Sequence, residues 1–331
     1  MGTPDDVLPL AALYLKIYFI GMPATLTYNF GAAILRAVGD TRRPLYFLLF
    51  AGAVNVVLNL VFVIVFSMGV AGVATATVVS ECISAVLIVQ CLARSDSAYR
   101  LCREKMRITE SKVKQIMKIG LPAGFQGAIF SVSNVLIQSS INSFGSIAMA
   151  GSTASANVEG FVYNAMNAVY QTTLSFTSQN YGAGKMDRVT KILLDCLGLV
   201  VLVGVVMGGG AVLLGPKLLQ IYSSDPEVIS YGMMRMRIIN GSYFLCGIMD
   251  LFPGALRGMG YSMVPMILSV IGTVGTRIVW IYGLFPTHRS LYFLFISYPG
   301  SWIATIVMQV ICYYFVRRMV YRKNNEGQNT F

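Results

Sequence analysis

The sequence predicts an all-α fold: a polytopic membrane bundle of about nine transmembrane helices in two lobes, the first incomplete. Three observations carry this. The 331 residues are 56% hydrophobic and 12% charged, with a mean hydropathy of +0.67. Soluble domains average about 45–50% apolar and about a quarter charged. The apolar residues form nine long runs, at 9–35, 44–66, 69–92, 118–142, 147–176, 190–214, 228–255, 263–285 and 291–316. About 20 apolar residues span a bilayer as a helix. The runs lack the alternation of barrel strands and exceed their length. The third observation is an internal duplication at one constant offset. Val7 matches Val228, Lys16 Arg237, Ile17 Ile238, Leu35-Arg36 Leu256-Arg257, Gly39 Gly260 and Pro44 Pro265. Duplicated membrane chains place their functional path between repeats.

Taken in order, the first and seventh spans are the two copies. Each follows a short acidic entry containing proline (Thr3-Pro4-Asp5-Asp6 and Asp225-Pro226-Glu227). The second and third spans continue the first copy, as the eighth and ninth continue the second. Residues 113–222 have no upstream counterpart. The expected organisation is a partial N-lobe of three helices at 1–93, a linker at 94–117, a six-helix C-lobe at 118–317 and a tail at 318–331. The linker interleaves Met106, Ile108, Val113, Ile116 and Met117 with Arg and Lys. It reads either as a helix lying on the anionic leaflet, its stems snorkelling, or as a solvated loop. Pro23, Pro122, Pro253 and Pro299 fall inside spans, where a membrane bundle accommodates kinks.

The net charge of +11 concerns topology, not nucleic acid. Most of the 25 Lys and Arg lie in alternate loops, around Arg36, Arg42 and Arg43, at 94–118, at Lys185–Lys191, at Arg257 and in the tail from Arg317. The opposite loops hold only Lys217 and Arg289. That is the positive-inside pattern, and it predicts a cytoplasmic C-terminus in the cell membrane. The six cysteines have no metal-ligand spacing and read as small apolar residues. No metal or cofactor is expected. The N-terminus lacks the basic region of a cleavable signal.

Polar groups in hydrocarbon face a cavity, a bundle interior or one another. Three carboxylates lie deep, at Glu81, Glu159 and Asp250. By the helical rise Glu159 sits roughly 18 Å from its helix end. Tyr163, Asn164, Asn167 and Gln171 follow it at helical spacing as one stripe. The preceding span adds Asn134, Gln138 and Asn142. Two such stripes imply a wet cavity or, alternatively, a hydrogen-bonded seam. Asp250 aligns with Asn29 in the duplication, an isosteric pair of different charge. A buried carboxylate can exchange a proton or coordinate Na⁺, as an amide cannot. The bland reading of Asp250 is an acceptor for helix-end donors near Arg257. Arg277, a deep cation, can snorkel outward, pair with Glu159, or sit near Arg235 and Arg237. Lys16 and Arg237 read as membrane anchors.

Several motifs together resemble the multidrug and toxic compound extrusion (MATE) family. They are Leu35-Arg36-Ala37-Val38-Gly39-Asp40-Thr41-Arg42-Arg43-Pro44, with Asn55 and Asn59; Gly120-Leu121-Pro122-Ala123-Gly124; Ser178-Gln179-Asn180-Tyr181-Gly182-Ala183-Gly184-Lys185; and Gly254-Ala255-Leu256-Arg257-Gly258-Met259-Gly260. The resemblance spans essentially the whole chain. It implies twelve helices in two six-helix lobes, with this chain matching the fourth to twelfth and so a truncated form. It also implies a monomeric antiporter that exports organic cations by alternating access, with Na⁺ or H⁺ as coupling ion. Where some members place a Glu in the seventh helix, this chain reads Ala128-Ile129-Phe130-Ser131. Glu159 and Asp250 then remain as coupling acids, with Tyr163, Tyr170, Phe161 and Phe176 as aromatic partners for flat cations.

Other functions are less well supported. A flippase for lipid-linked saccharides would suit a strongly cationic cavity. A passive pore needs a filter-like run, which is missing. An enzyme is disfavoured by a single histidine, His288, with no partner in sequence. Gly182-Ala183-Gly184-Lys185 is not a phosphate loop, because Gln179 and Met186 stand where Gly and Ser/Thr are needed.

Overall fold

The computed structural model describes residues 8–96, 99–102, 104 and 106–328. The entry Thr3–Asp6, the repeat position Val7, parts of the 94–117 linker and the last three tail residues lie outside them. Among the described residues there are nine helical rods and no strand. They are α1 (Leu8–Ala37), α2 (Arg42–Val65), α3 (Gly69–Ala93), α4 (Glu110–Asn142), α5 (Ser146–Gly182), α6 (Met186–Gln220), α7 (Pro226–Ile239 and Tyr243–Gly258), α8 (Met263–Leu284) and α9 (Leu291–Gln328). Seven are long and apolar enough to cross a membrane. The two that fall short are α5, rich in Ser, Thr and Asn, and α7, split into pieces of 14 and 16 residues. Those two helices carry Glu159 and Tyr163 on α5, and Arg235 and Asp250 on α7.

The chain divides into two compact units, Met1–Ile108 and Thr109–Phe331. In the first, α1 and α2 each pack on α3, around Leu35, Ile88 and Leu92. In the second, α5 and α7 form the centre, flanked by α6 and α9. One continuous apolar core there runs from Ile137 to Val320.

The duplication is present in the backbone. Gly39 after α1 and Gly260 after α7 both have φ +87°. Each turn closes with the same three hydrogen bonds. Val38, Gly39 and Asp40 donate to Leu35, Arg36 and Leu35 at 3.2, 3.0 and 2.9 Å; Met259, Gly260 and Tyr261 donate to Leu256, Arg257 and Leu256 at 3.2, 2.9 and 2.9 Å. Leu35 and Leu256 are fully buried. A side chain at that left-handed φ costs about 1–2 kcal/mol, which accounts for glycine in both copies. Helix packing repeats as well, with α7 and α8 laid on α9 as α1 and α2 are on α3.

Two sequence expectations need revision. The 94–117 linker is not one surface helix: its described residues before Glu110 hold no α-helix, and α4 then runs unbroken to Asn142. Thr109 is extended and Glu110 occupies the first turn, where the helix dipole favours an acid. Val113, Ile116 and Met117 are therefore the opening turns of the fourth span. The seventh span is also interrupted, by a 3₁₀ turn at Asn240–Ser242. There the Ser242 hydroxyl takes the Ile238 carbonyl at 2.6 Å, a back-bond that bends helices. Gly204 and Gly208 of α6 press against Phe244 and the Asn240 carbonyl at this break.

Small residues let α5 and α7 meet closely. A Cβ on Gly151 would strike the Val228 carbonyl and lie 2.9 Å from the Gly232 nitrogen. Gly151→Leu is expected to cost at least about 1–3 kcal/mol, read as a lowered midpoint in chemical denaturation of the detergent-purified protein. An unchanged midpoint would mean that this crossing is looser than described.

Candidate functional site

The site grows from the α5–α7 crossing. Glu159 projects from α5 toward Arg235 in the first half of α7. Arg235 Nε donates to Glu159 Oε1 and Nη2 to Oε2, both at 2.8 Å. Ser155 donates to Oε1 at 3.0 Å, and Arg235 Nη1 donates to Ser152 Oγ at 2.9 Å. The guanidinium also lies 5.6 and 5.5 Å from the rings of Phe295 and Tyr298. Both side chains are more than nine-tenths buried. This two-pronged geometry is the strong form of a charge-assisted pair. The charge of Glu159 is cancelled within the bundle.

Arg277 lies on a single α-turn of α8, Thr276–Val279, between two π-type stretches, Val270–Gly275 and Trp280–Leu284. Such turns re-aim side chains and recur at functional positions. Its Nη1 donates to Asn134 Oδ1 at 3.1 Å and its Nε to Ser301 Oγ at 3.3 Å. The Tyr298 ring lies 4.4 Å below the guanidinium. Among the described residues Arg277 has no carboxylate partner, neither Glu159 nor Asp250. The outward snorkel is also ruled out, since the side chain is 5% exposed.

Glu159, Asp250 and Arg277 line one cavity of about 420 Å³ within the second unit, together with Asn134, Tyr163 and Thr273. Its apolar wall comes from Phe130, Tyr243, Cys246, Met249, Tyr298 and Trp302. A smaller cavity of about 180 Å³ shares Gly127, Phe130, Tyr163 and Asp250 and adds Asn167, Tyr170 and Arg257. Arg257 donates to Tyr170 Oη at 2.8 Å and to Gln126 Oε1 at 2.6 Å. Asp250 is thus not the acceptor for Arg257. It forms no ion pair or hydrogen bond among the described residues, though it borders both cavities. A larger cavity, of about 770 Å³, is mainly apolar with Lys114 and Lys118 at its edge, and it contains none of the expected site residues.

The sequence-derived residues therefore divide. Asn134, Glu159, Tyr163, Asp250 and Arg277 converge, and Asn167 borders the smaller cavity. Asn164 and Gln171 do not line either, and Gln138 instead donates to Asn142 at 2.9 Å. Phe161 and Phe176 are exposed and line neither cavity; Tyr163 and Tyr170 do. Asn29 and Glu81 belong to the first unit. Asn29 is exposed, and Glu81 Oε2 has no hydrogen-bond partner where it faces Gly21. Sequence reading missed the role of Arg235, together with Tyr243, Tyr298 and Trp302. The available signal was Arg235 itself, a cation inside a span, which called for an acid on another helix.

Comparison with known proteins agrees with this architecture. The chain is 29% identical over 271 residues to the probable multidrug resistance protein YpnP of Bacillus subtilis (strain 168), covering 82% of the chain and 60% of that protein. It is 24% identical over 299 residues to the probable multidrug resistance protein NorM of Thermotoga maritima, covering 88% and 62%. The chain thus spans about 60% of the length of these relatives. Its fold matches the outward-facing structure of a multidrug resistance MATE family transporter of the MOP superfamily, with TM-score 0.86 at 20% identity over 97% of this chain and 72% of that one. The family model MatE matches residues 1–61 and 122–282. With more than half of its residues matched by that model, a multi-pass helical fold and the shared architecture, this chain belongs to the MatE family.

Proposed function

We propose that the chain exports small amphipathic organic cations across the cell membrane by alternating access, in exchange for Na⁺ or H⁺, with Asp250 as the exchanging carboxylate. One observation carries the reading: Asp250 borders the cavity without a protein donor among the described residues, while Glu159, the other acid lining it, is engaged by Arg235. The sequence offered both acids for coupling; the ion pair makes Glu159 a positioning residue. A carboxylate serving one cation at a time couples two transported species by mutual exclusion, because each lowers the affinity of the other. The size and the aromatic lining of the cavity suit a flat organic ligand whose charge reaches Asp250. The cavity volume falls within the roughly 300–1,000 Å³ of small-molecule sites. Each ring that meets the charge adds about 0.5–2 kcal/mol. The names of the bacterial relatives support multidrug substrates, and the alternate-loop placement of Lys and Arg supports a cytoplasmic C-terminus.

The test is ethidium efflux from preloaded cells expressing the chain, under separately imposed Na⁺ and pH jumps. Efflux faster than in vector controls, and responsive to one of the two jumps, is expected. Efflux equal to vector, or indifferent to both gradients, would remove the proposal.

A further inference from the structure

We infer that the Arg277 end of this cavity is an anion subsite, which takes a carboxylate or a similarly compact anionic group. The inference rests on the cavity described above but not on its transport role. Arg277 is 5% exposed, and its charge has no acidic partner among the described residues. Nε and Nη1 are occupied by Ser301 and Asn134, both neutral acceptors. Nη2 has no hydrogen-bond partner among the described residues, and the residue lines the cavity. Nearby Arg235 shows what full neutralisation looks like in the same bundle, with both oxygens of Glu159 taken. Arg277 lies over the Tyr298 ring at 4.4 Å and is held only by neutral acceptors, without an anion.

An uncompensated buried cation is costly unless a counter-charge reaches it. Tyr298 and Asn134 hold the guanidinium plane, and the planar fork offers fixed donors to an incoming oxyanion. Asp250 does not supply this charge, since the two form no ion pair. The cavity therefore has a carboxylate at one place and an unmatched guanidinium at another. A ligand carrying an acid together with an aromatic body would satisfy the second, and one carrying both signs would satisfy both. A small free anion such as chloride offers the same chemistry.

The chain's two tryptophans provide the readout. Trp302 lines the cavity and Trp280 follows Arg277 on α8. Energy transfer from tryptophan to anthracene, in the detergent-purified chain without any gradient, gives the affinities of 9-anthracenecarboxylate, 9-anthracenemethanol and 9-(aminomethyl)anthracene. The carboxylate is expected to bind the wild type roughly tenfold or more tighter than the neutral alcohol, the increment of a charged hydrogen bond. Arg277→Gln should remove that ratio, and Arg277→Lys should retain part of it. Competition by chloride but not by gluconate would support the subsite and assign it to a free ion. Competition by neither, with the carboxylate preference intact, would assign it to the ligand's own acid. Equal binding of carboxylate and alcohol by the wild type overturns the inference without recourse to any variant. So does a carboxylate preference that survives Arg277→Gln. Gradient-driven ethidium efflux is read separately, so its loss would bear on the transport proposal and not on the subsite.

Discussion

Replacing Arg235 by Met is expected to destabilise the protein by about 3–5 kcal/mol, the cost of leaving one member of a buried pair alone. Glu159, buried in the wild type, would then keep only the Ser155 hydroxyl as donor. The pair joins α5 to the first half of α7, at the crossing where Gly151 and Gly232 bring the backbones together. Loss should therefore appear as a lower urea midpoint at unchanged slope, since the surface exposed on unfolding is the same. The double variant Glu159→Gln with Arg235→Met should recover most of the stability. It removes both charges together, and buried pairs replaced by neutral side chains of similar volume are often close to neutral. A single Arg235→Met variant as stable as wild type would show that the pair is not formed as described.

The second large effect is functional. Asp250→Asn preserves shape and removes the cavity carboxylate that has no protein partner among the described residues. Gradient-dependent ethidium efflux should fall by about 5–150-fold, the usual span of a lost coupling between two ligands. Folded protein, judged by monodisperse elution in detergent, should be unchanged, because Asp250 makes no hydrogen bond or ion pair among the described residues. Asp250→Glu should keep measurable efflux. If Asp250→Asn exports ethidium at the wild-type rate with the same response to Na⁺ or pH jumps, the carboxylate has no coupling role.

Much of this was readable from particular residues. The duplication rested on matches such as Gly39 with Gly260, and the two turns share φ, hydrogen bonds and the buried leucine. The nine runs became nine rods because apolar length is a local property. Their ends shifted, because Glu110 and Lys114 extend a helix outward without being apolar. Glu159 and Asp250 were visible as deep acids, yet nothing in one chain's periodicity tells which helix lies opposite. The partner of Glu159 is therefore visible only in the structure, where it is Arg235 and not Arg277. The stripe from Tyr163 to Gln171 was wider than the cavity it faces, which left Asn164 and Gln171 outside. Tyr298 carries no signal in an apolar span; its part is visible only in the structure, where its ring lies 4.4 Å from the Arg277 guanidinium.

Coupling turns on which of the two acids is available for exchange. The most direct measurement is ethidium transport in proteoliposomes under imposed Na⁺ or pH gradients, comparing the Glu159→Gln, Arg235→Met double variant with Asp250→Asn. Retained gradient dependence in the double variant and its loss in Asp250→Asn are the predicted results. Gradient dependence that vanishes with the Glu159–Arg235 pair yet persists in Asp250→Asn would contradict the account.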